Sequence, residues 1–122
     1  MRTLKPPRGP IPVFRPSYDE RELEALREPF KNGWIGLGPK TAEFEEKFAG
    51  YVGARFAVGM NSATAALHLA LAGCGVGPGD EALVPTMTFV STAHAVMYCG
   101  AKPVFVDIRS ETLCLNVQDA RK

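Results

Sequence analysis

The chain has 122 residues, enough for one small domain or a part of a larger one. With 46% hydrophobic and 22% charged residues it has the composition of an ordinary folded protein, and its net charge of +1, with scattered Lys and Arg, creates no field that would favour nucleic acid or an anionic membrane. The cysteines Cys74, Cys99 and Cys114 form no CxxC pair and match no zinc spacing, which predicts reduced thiols in a cytoplasmic protein without a metal.

Behind Arg2, Lys5 and Arg8 stand Pro6, Pro7, Pro10 and Pro12 in place of an apolar run. Residues 1–16 therefore read as an extended lead-in, with no secretion signal and no membrane anchor expected. A helical segment over 17–53 follows. Ser17 and Glu20 have capping-box spacing, Leu23, Leu26 and Phe30 mark an apolar face, and Pro29 and Gly33 are expected to end the helix. Residues 33–39 (GWIGLGP) read as a loop. In the next helix, over about 40–52, Phe44, Phe48, Tyr51 and Val52 recur at helical spacing and predict a buried stripe, with Gly53 as its C-terminal cap.

From residue 54 the pattern changes to alternating strands and helices. Strands are expected at Arg55–Met60, Glu81–Pro85 and Pro103–Asp107. Between them lie a helix capped by Asn61 or Ser62 and running to about Cys74, and another over 90–99. The first of these, ATAALHLALAGC, is apolar nearly all round, as for a helix packed into a large core. The glycines of GVGPGD (75–80) read as a plain turn, and Ser110–Asn116 as a loop. Asn116 and Asp119 have the residue types of a further helix start, which predicts a domain that continues past Lys122. The fold class is α/β, with an incomplete parallel sheet and flanking helices.

The junction from Gly59 to Thr64 carries the chemical interest. Where a strand feeds a helix, several N–H groups point forward without partners and the helix dipole adds positive charge, so phosphate fits there. Ser62 and Thr64 add hydroxyl donors. The second strand brings Phe89 to the same edge of the sheet, where an aromatic ring can stack on a planar ligand. The same residues also fit an ordinary N-cap and a Phe that closes the local core. Neither GxGxxG nor GxxxxGK[ST] is present at the first turn, which argues against a dinucleotide binder. His68 and His94 lack a second ligand at i+4 and read as structural. Asp107 fits either the ligand edge or the start of a turn.

Four ordered blocks carry a resemblance over about residues 11–122: GWIGLGPKTAEFEEKFAGYVGA, NSATAALHLAL, GVGPGDEALVPTMTFVSTAHAV and GAKPVFVDI. Together they resemble the DegT/DnrJ/StrS family of fold-type-I, pyridoxal-phosphate-dependent enzymes, mostly nucleotide-sugar aminotransferases. The resemblance implies that residues 54–122 are the first part of the cofactor-binding large domain. It implies that Ala63 and Thr64 hold the cofactor phosphate, with Ser62 beside it, and that Phe89 stacks on the pyridine ring. Trp34, Ile35, Gly36 and Leu37 would belong to the active-site wall, although many relatives carry hydroxyl residues where Gly36 and Leu37 stand.

The resemblance further implies a homodimer that moves an amino group from glutamate or glutamine to a keto-sugar nucleotide. Such chemistry needs a carboxylate on the pyridine nitrogen and a Schiff-base lysine. Neither is expected within this chain, and none of Lys5, Lys31, Lys40, Lys47, Lys102 and Lys122 stands in the family's lysine motif. No catalytic residue is therefore assigned, and the chain by itself is expected to be inactive. The competing reading is a non-catalytic chain, either a gene remnant or a binding module that pairs with another chain.

Overall fold

A computed structural model describes residues 9, 10 and 12–121. Arg2, Lys5, Pro6, Pro7, Arg8 and Lys122 lie outside the described residues, as does most of the first half of the lead-in. The chain divides into two compact units, with the boundary between Ala57 and Val58.

The first unit holds α1 (Glu20–Asn32) and α2 (Pro39–Val52). The capping box of α1 stands two residues later than Ser17 and Glu20 predict. Asp19 is the cap: its carboxylate accepts from Arg21 N–H at 2.8 Å, and Asp19 N–H donates to Glu22 Oε2 at 2.7 Å. Asp19 and Glu22 have the same spacing as the expected pair, and a charged cap gains more from the helix dipole than a serine does. Pro29 does not end α1. It sits inside the helix, which continues to Asn32 and closes at Gly33 with φ 67°. Pro29 lacks an N–H, but its carbonyl accepts from Trp34 N–H at 3.0 Å and so helps to close the helix end. Gly53, with φ 69°, caps α2 as expected.

The predicted burial of the α2 stripe does not hold. Phe44, Phe48, Tyr51 and Val52 are all exposed, and Ala49 is the buried residue of α2. Leu23, Leu26 and Phe30 of α1 are exposed as well. Helical spacing places side chains on one face, but burial needs a surface opposite them, which spacing does not encode.

The second unit holds α3 (Ala63–Gly73), β1 (Glu81–Pro85), α4 (Ser91–Tyr98) and β2 (Lys102–Val106). β1 and β2 pair in parallel, from Glu81 opposite Lys102 to Pro85 opposite Val106, with α4 as the crossover between them. The turn at 75–80 forms as predicted: Asp80 carboxylate accepts from Gly77 N–H at 2.8 Å, and Gly75 and Gly79 take positive φ. Among the described residues the sheet has two strands rather than three. Residues 55–60 form no strand. An extended segment becomes a strand when a neighbour completes its ladder, and β1 and β2 bond to each other without it.

A small core sits under the sheet, formed by Val84, Val96 and Ala101, with Leu71, Val76, Ala82 and Ala93 packed against it. α3 contributes Leu71 to this core but has no buried residue of its own, so the large core predicted from its apolar sequence is absent among the described residues. Beyond β2, Ile108 and Leu115 form an isolated antiparallel bridge in the expected loop. Residues 117–121 form turns rather than a helix, with Asn116 Oδ1 accepting from Gln118 N–H at 3.0 Å.

Candidate cofactor site

At the start of α3, Ser62 has extended backbone and its Oγ accepts from Ala65 N–H at 3.2 Å. The first intrahelical bond runs from Ala66 N–H to Ser62 O at 3.1 Å. The N–H groups of Ala63 and Thr64 therefore precede the first intrahelical donor, Ala66, and have no helical carbonyl to bond, as the geometry of a helix start requires. With the positive end of the α3 dipole behind them, they form a donor pair suited to an anion.

Thr64 Oγ1 and Ser91 Oγ lie 2.7 Å apart, joining the first turn of α3 to the first turn of α4. Ser91 is buried, with 9% of its surface exposed. Two residues ahead of it, Phe89 stands in the loop that leaves β1, and 75% of its surface is exposed. That exposure removes the alternative in which Phe89 closes the local core. The loop is built from its own polar groups: Thr86 N–H donates to Val106 O at 3.0 Å, and Thr88 and Thr92 share a hydroxyl bond of 2.9 Å. Ser62, Ala63, Thr64 and Phe89 thus stand in one unit, on elements tied together at Thr64 and Ser91. The donor set of two main-chain N–H groups and a hydroxyl fits a phosphate, and Phe89 adds an exposed aromatic ring in the same unit.

Ser91 was not singled out by sequence reasoning. The available signal is a small polar residue at the first helical position after an aromatic loop, which by itself reads as an ordinary helix start.

The other predicted segment belongs to the first unit. Trp34 Nε1 donates to Leu37 O at 2.7 Å, and the indole lies against Gly38, where an added Cβ would fall 2.0 Å from Nε1. Ile35, Gly36 and Leu37 are exposed. A cavity of about 100 Å³ opens beside this loop, between Glu28, Asn32, Trp34 and Lys40. Lys40 bonds Glu28 and Glu43 at 3.0 Å each, and these partners, Glu28 first, hold its ammonium above the usual lysine range. Hydrogen bonds from Lys47 and then Lys40 push the Glu43 carboxyl down to about 2.

Asp107 is bonded into the loop that follows β2. Its N–H donates to Asp119 Oδ2 at 2.9 Å, its carboxylate accepts from Ile108 N–H at 2.7 Å, and its carbonyl accepts from Asn116 N–H at 2.8 Å. His68 meets the Tyr98 ring edge-on at 5.5 Å between centroids, and His94 lies 6.0 Å from the same ring. Among the described residues no cluster of three or more His, Cys, Asp or Glu could hold a metal, and no helix is long and apolar enough to cross a membrane. Cys74, Cys99 and Cys114 are free thiols.

The model of the DegT/DnrJ/EryC1/StrS aminotransferase family matches residues 16–122. The chain belongs to this family. It is 46% identical over 107 residues to the UDP-4-amino-4-deoxy-L-arabinose–oxoglutarate aminotransferase of Shewanella sediminis, covering 88% of this chain and 28% of that protein. It is also 46% identical over 106 residues to the spore coat polysaccharide biosynthesis protein SpsC of Bacillus subtilis, covering 87% of this chain and 27% of SpsC.

Among solved structures, Spr1654 of Streptococcus pneumoniae in its PLP form matches with a TM-score of 0.83 at 39% identity, over 90% of this chain and 28% of that one. The aminotransferase TlmJ of Streptoalloteichus hindustanus matches with a TM-score of 0.78 at 41% identity, over 92% of this chain and 31% of TlmJ. The chain thus spans little more than a quarter of the length of the curated relatives it matches. The fold is α/β, with a two-stranded parallel sheet among the described residues, and it matches about 28% of the length of fold-type-I aminotransferases.

Proposed function

We propose that this chain supplies the phosphate-holding and ring-stacking part of a pyridoxal-phosphate-dependent sugar aminotransferase. The whole enzyme transfers an amino group from glutamate or glutamine to a keto-sugar nucleotide, as a homodimer in the cytoplasm. What carries the reading is the donor pair at the start of α3, formed by the N–H groups of Ala63 and Thr64 beside the Thr64 hydroxyl.

When bound, pyridoxal phosphate supplies the carbonyl that takes up the amino group and the ring that spreads the developing negative charge. The residues of this chain bind and orient. Ala63 and Thr64 hold the phosphate through their N–H groups, and the α3 dipole favours its charge. The Ser62 oxygen caps Ala65 N–H, and its hydroxyl donates to Asn61 Oδ1 at 3.5 Å, a long bond that a nearby anion can displace. The exposed Phe89 ring covers one face of the cofactor ring and excludes water from it. Trp34, Ile35, Gly36 and Leu37 form part of the wall that meets the sugar substrate. No catalytic proton carrier is assigned within this chain.

The test is a cofactor titration of the whole protein followed by an assay with glutamate or glutamine and keto-sugar nucleotides. Expected are a cofactor absorbance band and amino-sugar product; a protein that acquires no such band would refute the reading. Phe89→Ala should weaken cofactor binding by about 1 kcal/mol, the worth of aromatic stacking beyond area burial. Unchanged affinity in that variant would remove Phe89 from the site.

A further inference from the structure

We propose that Ser91 is a positioning residue: its buried hydroxyl sets the direction in which Thr64 donates its proton. The inference rests on the phosphate site proposed above. Ser91 and Thr64 are 27 residues apart in sequence, yet their hydroxyl oxygens lie 2.7 Å apart, and either one can be the donor. An anionic phosphate removes that ambiguity, because its oxygens accept and do not donate at full charge. A Thr64 hydroxyl that binds it must spend its single hydrogen on the phosphate. Its lone pair then accepts, and the donor placed to serve it is the Ser91 O–H.

Thr64 stands in the first turn of α3, where its own helix offers no carbonyl of a preceding turn to hold its hydroxyl. The 2.7 Å bond to Ser91 draws that hydroxyl toward the start of α4. Ser91 is a suitable anchor because it is 9% exposed and sits at the first position of a helix whose Ala95 and Val96 are buried. Without Ser91 the Thr64 hydroxyl keeps its chemistry but loses the partner that orients it. Ser91 itself need not touch the ligand.

The experiment compares two probes, pyridoxal phosphate and pyridoxal, which lacks the phosphate, by absorbance titration of the whole protein. Four forms are titrated: wild type, Ser91→Ala, Thr64→Val and the double variant. Ser91→Ala should weaken pyridoxal phosphate about five-fold, the worth of one hydrogen bond, and leave pyridoxal unchanged. On the Thr64→Val background the same substitution should have no effect on either probe. Equal weakening of both probes, or an undiminished effect in the Thr64→Val background, would overturn the proposal and reduce Ser91 to a packing role. Should Ser91→Ala fail to fold, Ser91→Cys keeps the volume with a weaker donor, and the same selective loss for pyridoxal phosphate is expected of it. A wild-type protein that binds both probes equally would instead refute the phosphate site itself, and Ser91's role with it.

Discussion

Residues 34–37 and the set Ser62, Ala63, Thr64 and Phe89 stand in different units and are held by different kinds of contact. The Trp34 loop is held by a bond between residues three apart, from the indole N–H to Leu37 O. The start of α3 is held by a bond between residues 27 apart, from Thr64 to Ser91. The first contact needs only its own loop. The second exists because α3 and α4 both rest against the core around Val84 and Val96. A site built on long-range contacts is therefore only as firm as the core beneath it, whereas a local loop keeps its shape while its neighbours stay exposed.

The largest expected effect tests that dependence. Val84 is 1% exposed, so Val84→Ala should cost about 2 kcal/mol through lost burial and a cavity. Urea denaturation of the whole protein measures it, with Leu23→Ala in α1 as the matched control. Leu23 is 51% exposed, and its truncation should cost about 1 kcal/mol or less. Equal costs for the two would break the comparison and mean that another surface covers the α1 face.

Next in size is Gly38→Ala. Its Cβ would fall 2.0 Å from Trp34 Nε1, so the indole must swing away and give up Leu37 O. The loss should be about 1 kcal/mol, the worth of that hydrogen bond. Trp34 is the chain's one tryptophan, so a red shift of its fluorescence reports the loop directly. Because the loop is locally held, the affinity of the α3 site for pyridoxal phosphate should not change; a parallel loss of affinity would couple the two segments.

The smallest effect concerns pH. Lys47 and Lys40 depress the Glu43 carboxyl to about 2, below its unfolded value of 4.5. A depressed carboxylate contributes stability above the unfolded value and loses it as pH falls through the folded one. The pairs on α2 should therefore persist at pH 4 and vanish toward pH 2. Glu43 is only partly covered, with 43% of its side chain exposed, so solvent screening keeps the contribution to stability small. Carboxyl NMR titration of Glu43 measures its midpoint, and a midpoint near 4.5 would show that the two lysines do not hold it.

What the sequence by itself determined is what near neighbours decide. Gly33 and Gly53 end their helices, Ser62 starts α3, Asp80 closes the turn at 75–80, and the bounds of β1 follow from apolar residues between turn signals. Each rests on contacts within a few residues, which spacing and residue type encode. The junction from Gly59 to Thr64 was legible for the same reason, since any helix start exposes such N–H groups, while the choice of Ala63 and Thr64 rested on the family resemblance. Even locally, the expected Ser17 with Glu20 gave way to Asp19 with Glu22, a pair of the same spacing. The tertiary structure alone decided that 55–60 stays outside the sheet, that Phe44 and Phe48 remain exposed, and that Ser91 stands behind Thr64. In all three cases the outcome depends on a partner distant in sequence, and hydrophobic periodicity fixes which way a side chain points without naming what meets it.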